Sequence, residues 1–202
     1  MQHTAPQPVL DFWFGDGLQR PWPSDDRGKL WWGGGAALDQ TIESQFGDLV
    51  RSALNGGLQD WESDPMQRLA LIILLDQFTR NVFRGQPQAF SGDARSQHLV
   101  RQWLDLNLDY NMPPVARAFS YMPLMHAENL AHQDECVRRF AQLRADAPRG
   151  TKRHIDGHLK SAKQHRDIIA QFGRFPHRNQ VLGRASTEAE TAFLTHGPRF
   201  GQ

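Results

Sequence analysis

Apolar residues recur every three or four positions along most of the chain, and runs in which apolar and polar residues alternate are missing. Because an α-helix completes a turn in 3.6 residues, this spacing is typical of amphipathic helices and not of strands. The sequence therefore predicts an all-α fold. Short turns between successive helices favour antiparallel helical hairpins, assembled either as a bundle or as a short solenoid.

Several predicted helix ends carry their own signals. Asp64 precedes a proline and an apolar stretch, which is typical of an N-cap followed by proline in the first turn. Pro123 is predicted to open a later helix, and Thr187 with Glu190 forms a capping box that starts the last one. The predicted helices span residues 38–54, 65–83, 92–106, 123–143 and 153–171, with a short final helix from 187.

Two segments are predicted to be irregular. Residues 15–35 are rich in glycine, proline and tryptophan, and residues 172–184 contain two glycines and a proline. No repeat or change in composition marks a domain boundary, so we expect a single helical domain over 1–202 with its core at about 9–194. The tail at 197–202 is expected to fray.

Charge and composition narrow the classes of function. The 202 residues include 23 Lys and Arg against 22 Asp and Glu, and this balance argues against a general nucleic-acid binder. The single Cys136 excludes a disulfide framework and a cysteine-based zinc site. The N-terminal residues lack a signal-peptide pattern, and the longest apolar run is far shorter than the roughly 20 residues that span a bilayer. We therefore expect a cytoplasmic protein that contacts no membrane.

Charged residues occur on the apolar face of the predicted helix 65–83. At about 100° per residue, Asp76 and Arg80 fall among leucine and isoleucine positions. An isolated charge there would be costly, so the two side chains should pair with each other or with other polar groups. One interpretation is a structural ion pair in the helical core. The other is the floor of a polar pocket, with Asn81 at the same end.

His126 shows the same anomaly in the helix that Pro123 is predicted to open, where it lies on a stripe of apolar residues. It is either a core histidine with its hydrogen bonds satisfied or an acid–base group active near neutral pH. Its imidazole has Asp76 or a backbone carbonyl as potential hydrogen-bond partners.

Three histidines project from one edge of the predicted helix 153–171, within about 40° of one another. They are His154, His158 and His165. The HExxH pattern is absent, so we expect no metal site and no cofactor. His154 and His158 are interpreted as a solvated edge, whereas His165 lies closer to the motif that follows the helix.

That motif is the string FGRFPHRN at 172–179, followed shortly by a further arginine. Glycine and proline fix the turn, while Arg174, Arg178 and Arg184 present planar guanidinium groups suited to a carboxylate or a phosphate. The alternative is that these arginines cap helix C-termini and tie helices together through acidic partners.

Four strings along the chain together resemble one bacterial family. They are LDQFTRN at 75–81, AFSGD at 89–93, YMPLMHAE at 121–128 and FGRFPHRN at 172–179. Over about 9–194 the chain is similar to the family catalogued as domain of unknown function 924, with alanine at 127 and threonine at 79 where that family often has serine and proline. The resemblance implies an all-α fold of tetratricopeptide-like helical hairpins, and it brings no established activity.

The resemblance also implies which polar positions belong together. The set is Asp76, Gln77, Arg80, Asn81, Asp93, His126, Glu128, His165, Arg174, His177, Arg178, Asn179 and Arg184.

Two hypotheses for function follow. In the first, the set lines a pocket in which arginines hold a small anionic molecule, and His126 or His177 acts as general acid or base with Asp76 orienting it. The predicted ligand-binding residues are Arg80, Asn81, Asp93, Glu128, His165, Arg174, Arg178, Asn179 and Arg184. In the second, a tetratricopeptide-like scaffold binds a peptide or protein partner and the polar set is structural. The contact candidates are then Trp22, Trp31, Trp32 and Trp61.

Overall fold

The computed structural model describes residues 5–198 and residue 200. Within these residues the chain forms nine α-helices and no β-strand, which confirms the predicted all-α fold. Part of the tail at 197–202, which is predicted to fray, lies outside the described residues. The helices are α1 (Gln7–Phe14), α2 (Ala36–Leu54), α3 (Pro65–Ile72), α4 (Thr79–Val82), α5 (Asp93–Asp105), α6 (Pro114–Met125), α7 (Leu130–Asp146), α8 (Arg149–Phe172) and α9 (Glu188–His196).

The predicted signals set several of the helix ends. The Asp64 side chain accepts hydrogen bonds from the backbone N–H groups of Met66 and Gln67 at 2.9 and 3.0 Å, so it is the N-cap of α3. Thr187 and Glu190 form the predicted capping box of α9. These ends are confirmed where the sequence places them.

The prediction that Pro123 opens a helix is wrong. Pro123 lies in the last turn of α6, and α7 begins only at Leu130. Every residue from 115 to 125 is buried, and we attribute the tolerance of a proline there to this packing, which offsets one lost N–H hydrogen bond. Pro114 takes the first helical position instead, where the missing N–H has no intrahelical partner to lose.

Helices α3 and α4 belong to one continuous helical segment, joined by the π-helical residues Ile73–Phe78. In a regular α-helix two consecutive side chains point about 100° apart. In this π-helical stretch the consecutive residues Asp76 and Gln77 are nevertheless both buried. Such π-helical insertions are rare and often occur at functional sites.

The connector, residues 15–35, contains two short helical turns where the sequence predicts irregular structure. They are a 3₁₀ turn at Gly15–Leu18 and a π-helical turn at Lys29–Gly33. Trp31 donates a hydrogen bond from Nε1 to the carbonyl oxygen of Trp13 at 3.0 Å, and this bond ties the connector to α1.

The main core lies where α1, α3 and α6 meet. Helix α7 packs against α6, and α8 packs against both α7 and α6. Trp13 packs edge to face against both Phe78 and Phe119, with ring centroids 5.4 and 5.6 Å apart. A smaller apolar cluster around Ile169 and Phe175 joins the end of α8 to α9. Among the described residues, no helix combines the length and the apolar character needed to cross a membrane.

Candidate functional site

A cavity of about 1150 Å³ lies between the connector and one face of α8. Trp22, Trp31 and Trp32 of the connector form an aromatic wall, which we call the tryptophan wall. Neighbouring rings in it are nearly perpendicular, with centroids 5.8 Å apart for Trp22 and Trp31 and 6.2 Å apart for Trp31 and Trp32. The remaining walls come from the ends of α4 and α6 and from α8.

The cavity has two chemically different ends, both of which contact α8. At one end His158 contacts Trp32, with ring centroids 5.4 Å apart. At the other, His165 lies 6.1 Å from the ring of His126. Because seven residues of an α-helix rise by about 10.5 Å, these two ends are separated by roughly that distance along α8.

We call the end of the cavity at His126 and His165 the histidine end. Asp76 is the centre of a buried polar network there, and its side chain is 0% exposed. Nδ1 of His126 lies 2.8 and 3.0 Å from its two carboxylate oxygens. Gln77 donates from Nε2 to Oδ2 at 2.6 Å, and Arg80 donates from Nη2 to Oδ1 at 3.3 Å. The predicted pairing of Asp76 with Arg80 is confirmed, and of the two partners considered for His126 the structure shows Asp76.

The network continues away from the cavity through a second carboxylate. Arg80 donates to Asp93 at 2.8 Å, and Arg178 donates to the other oxygen of Asp93 at 3.3 Å. The guanidinium groups of Arg80 and Arg178 both lie over the ring of Phe90, at 5.3 and 4.7 Å from its centroid. Two guanidinium groups and two carboxylates therefore balance in charge within this network.

Burial and hydrogen bonding set the protonation states of the network. Burial opposes ionisation of Asp76, but its contacts with His126, Arg80 and Gln77 lower its pKa to about 2. Burial lowers the pKa of His126, and the Arg80 charge adds to this, although Asp76 opposes the shift. Burial raises the pKa of Asp93 and lowers that of Arg178 to about 10. At neutral pH the Asp76 carboxylate thus accepts a hydrogen bond from Nδ1–H of a neutral His126, and we call this pair the Asp76–His126 dyad.

The histidines of α8 are more buried than the sequence indicates. Nδ1 of His165 lies 2.8 Å from the carbonyl oxygen of Ser161, and burial lowers the pKa of His165 to about 3. The prediction that His158 is solvated is wrong: it stacks on Phe140 with centroids 5.4 Å apart, and burial lowers its pKa to about 4. Facing the cavity, His154 stacks on a tryptophan ring.

A separate set of predicted residues joins the 172–187 region to its neighbours. Arg174 makes a two-pronged ion pair with Glu190 at 2.6 and 2.8 Å. Arg184 pairs in the same way with Glu128 at 2.6 and 2.9 Å. Asn179 donates to the hydroxyl of Ser186, 3.1 Å away. None of these residues is among those that line the cavity in the described structure.

The remaining predicted residues divide between cavity and interior. Asn81 lines the cavity and donates to Asp39 at 2.8 Å. His177 lies beside Phe175 and outside the cavity lining, with a pKa that burial and Arg178 lower to about 4. The structure thus brings Asp76, Arg80, His126 and His165 together at the histidine end, with Asp93 and Arg178 behind them, whereas Asn81 lines the cavity beside Asp39.

Several contributors to the cavity were missed as site residues. Gln77 stands in the LDQFTRN string and both lines the cavity and holds Asp76. The tryptophan wall was assigned only to partner contacts, and of those candidates Trp61 is buried elsewhere. The clustering of tryptophans with glycines at 22–35 was the available signal, since glycine gives a connector room to fold over a cavity.

The fold and the site together define an all-α protein in which a buried Asp–His–Arg network reaches a large cavity with aromatic walls. The chain belongs to the DUF924 family of bacterial proteins of unknown function, whose family model matches residues 9–198. A protein of unknown function from Agrobacterium tumefaciens, ATU0120, has a similar solved structure. The two share 30% sequence identity with a TM-score of 0.78, over 95% of this chain and 97% of the other. No curated protein sequence matches the chain.

Proposed function

We propose that this protein binds a small anionic molecule in the cavity and acts on it by acid–base chemistry through His126. The observation that carries the proposal is that His126, which lines the cavity, is bound at Nδ1 by the buried carboxylate of Asp76. A carboxylate bound at Nδ1 fixes both the tautomer and the orientation of an imidazole. Nε2 of His126 is then an unprotonated base at neutral pH, which is the state that proton abstraction requires.

The cationic groups of the cavity support an anionic ligand. Arg27 and Arg84 line it but are paired with aspartates at 3.2 and 2.6 Å. Arg80 is shared between two carboxylates. Arg153 also lines the cavity and has no carboxylate partner among the described residues. An anion therefore meets the least competition at Arg153, beside the tryptophan wall.

A peptide-binding scaffold is the second candidate. It is favoured by Trp32, whose side chain is 56% exposed although it belongs to the cavity wall. Exposed tryptophans are common anchors of protein interfaces. A partner of this kind would cover the rim of the cavity and would not need His126.

A thermal-shift screen with citrate, succinate, inorganic phosphate and glucose 6-phosphate tests the first candidate. A ligand at 100 times its Kd stabilises a folded protein by about 2.7 kcal/mol, which raises Tm by about 5–10 °C in a chain of this length. We expect Arg153→Gln to reduce the shift. Arg149→Gln is the matched control, since Arg149 is an exposed residue of the same helix that does not line the cavity.

If no anion raises Tm, or if the two variants reduce the shift equally, the anion site is refuted. Chemistry at His126 is tested separately with His126→Gln. That variant should retain binding of the anion and lose turnover of any ligand that the wild-type protein converts.

A further inference from the structure

The two histidines at the inner end of the cavity share one tautomer. Nδ1 of His126 lies against the Asp76 carboxylate, and Nδ1 of His165 lies against the Ser161 carbonyl oxygen. Neither acceptor carries a proton to donate, so each Nδ1 must be the protonated nitrogen. Both Nε2 atoms are consequently bare acceptors, and in the described part of the chain neither has a hydrogen-bond partner.

Two unprotonated Nε2 atoms side by side restrict the chemical groups that can bind at the histidine end of the cavity. The rings lie 6.1 Å apart and both line the cavity. A carboxylate or phosphate oxygen would face lone pairs at this place and would gain no hydrogen bond. An ammonium group would approach Arg178, whose charge already disfavours protonation of both imidazoles. The group that fits is an uncharged donor with two protons to share.

The space around the pair suits hydroxyl groups. Two O–H···N hydrogen bonds, made by neighbouring hydroxyls, can bridge ring nitrogens that lie several ångströms apart. Phe200 stacks on the face of His165 with centroids 3.8 Å apart. This stacking leaves Nε2 accessible, because an imidazole nitrogen accepts hydrogen bonds in the plane of the ring.

We propose that the ligand is a polyhydroxylated acid of the carbohydrate type, whose vicinal diol binds Nε2 of both His126 and His165. The inference rests on the proposed function for the acid group, which lies towards Arg153. About 10 Å of α8 separates the diol site from the tryptophan wall, so the wall meets the C–H face of a sugar ring or a sugar chain.

The tautomers are tested first, without any ligand. In protein labelled with ¹⁵N-histidine, two-dimensional NMR distinguishes protonated from bare ring nitrogens. We expect a bare Nε2 and a protonated Nδ1 for both His126 and His165, with assignments made from His126→Gln and His165→Phe. A proton on Nε2 of either ring overturns the proposal.

Binding is tested by calorimetry with lactobionate, gluconate and hexanoate. Gluconate and hexanoate have the same carbon chain, and only gluconate has hydroxyls beyond the carboxylate. We expect gluconate and lactobionate to bind at least tenfold more tightly than hexanoate and to shift both Nε2 resonances. If hexanoate binds as tightly as gluconate and lactobionate, or if none of the three shifts these resonances, the diol site is refuted.

Variants separate this inference from the proposed function. His165→Phe keeps an aromatic ring beside Phe175, 5.5 Å away in the wild type, and removes the acceptor. It should weaken lactobionate about tenfold, as expected for one lost hydrogen bond in a buried site, and leave hexanoate unchanged. His98→Phe, at an exposed position of α5 outside the cavity lining, should change neither. If Arg153→Gln binds neither lactobionate nor hexanoate, the result supports the anion site and does not bear on the diol site. If the wild-type protein binds none of the three acids, both proposals are refuted.

Discussion

Replacing Asp76 by asparagine is the sharpest test of the buried network. Asparagine keeps the shape of the side chain and removes its charge. Asp76 is completely buried and contacts His126, Gln77 and Arg80. The variant leaves Arg80 with one carboxylate in place of two, and the network acquires a net positive charge inside the core.

The magnitude follows from what remains. Breaking a buried ion pair costs about 3–5 kcal/mol when the other charge is left unpaired. Asp93 still accepts from Arg80 at 2.8 Å, so the lower end of this range applies. We expect Asp76→Asn to lower the free energy of unfolding by about 3 kcal/mol, which corresponds to a fall in Tm of about 6–12 °C for a chain of this length.

Urea denaturation at pH 7.5 measures the loss, with Asp48→Asn as the matched control. Asp48 also pairs with an arginine on its own helix, at 2.9 Å, but its side chain is fully exposed. Exposed pairs contribute about 0–1 kcal/mol. A loss in Asp76→Asn within 1 kcal/mol of the control would show that the buried pairing does not stabilise the fold, and the reasoning from burial would fail.

Three further predictions concern other parts of the fold. His158→Phe should flatten the pH dependence of stability between pH 6.5 and 4. The pKa of His158 in the native state is near 4, so between pH 6.5 and 4 the unfolded state binds a proton that the native state does not. The free energy of unfolding of the wild type therefore falls by about 1.4 kcal/mol for each pH unit in that window. Urea denaturation of both proteins at pH 7 and 4.5 measures this difference, and an equal change in the free energy of unfolding in the two proteins would contradict the prediction. Gly92→Ala should lower stability by more than about 2 kcal/mol, because a Cβ there overlaps the Leu75 carbonyl oxygen. Gly150→Ala meets open space and should be neutral or slightly stabilising in the same denaturation assay. The buried Cys136 thiol, whose pKa burial raises, should react with a thiol reagent only after unfolding, and rapid labelling of the native protein would refute this.

The contacts that follow helical periodicity could be predicted from the sequence. Asp76 and Arg80 are four residues apart, so their pairing required only that the segment be helical. The bond between Asp76 and His126 spans 50 positions. The sequence offered Asp76 as one of two partners for His126, but it placed His126 on a helix opened by Pro123, whereas His126 directly follows the last residue of α6.

Partners of arginines in loops could not be predicted in this way. The FGRFPHRN motif presents its arginines from a turn, where periodicity gives no direction for a side chain. Arg174 reaches a glutamate 16 positions onward and Arg184 reaches one 56 positions back. The first pairing depends on how α9 packs against the end of α8, and the second on how the 172–187 region packs against the segment between α6 and α7; both are properties of the assembled fold. The same composition serves an anion site or a structural ion pair until that packing is known.

The cavity depends on a feature that sequence patterns describe poorly. Its tryptophan wall comes from a connector whose two helical turns have no amphipathic face, so nothing in the hydrophobic pattern directs Trp22 or Trp32 inward. What directs them is the rest of the wall: Trp22 stacks on His154 at 4.8 Å, and Trp32 contacts His158. His158, interpreted from the sequence as part of a solvated edge of α8, is therefore covered by a tryptophan that is itself 56% exposed. Periodicity misplaced His158 because it describes one helix at a time and not the connector that packs over it.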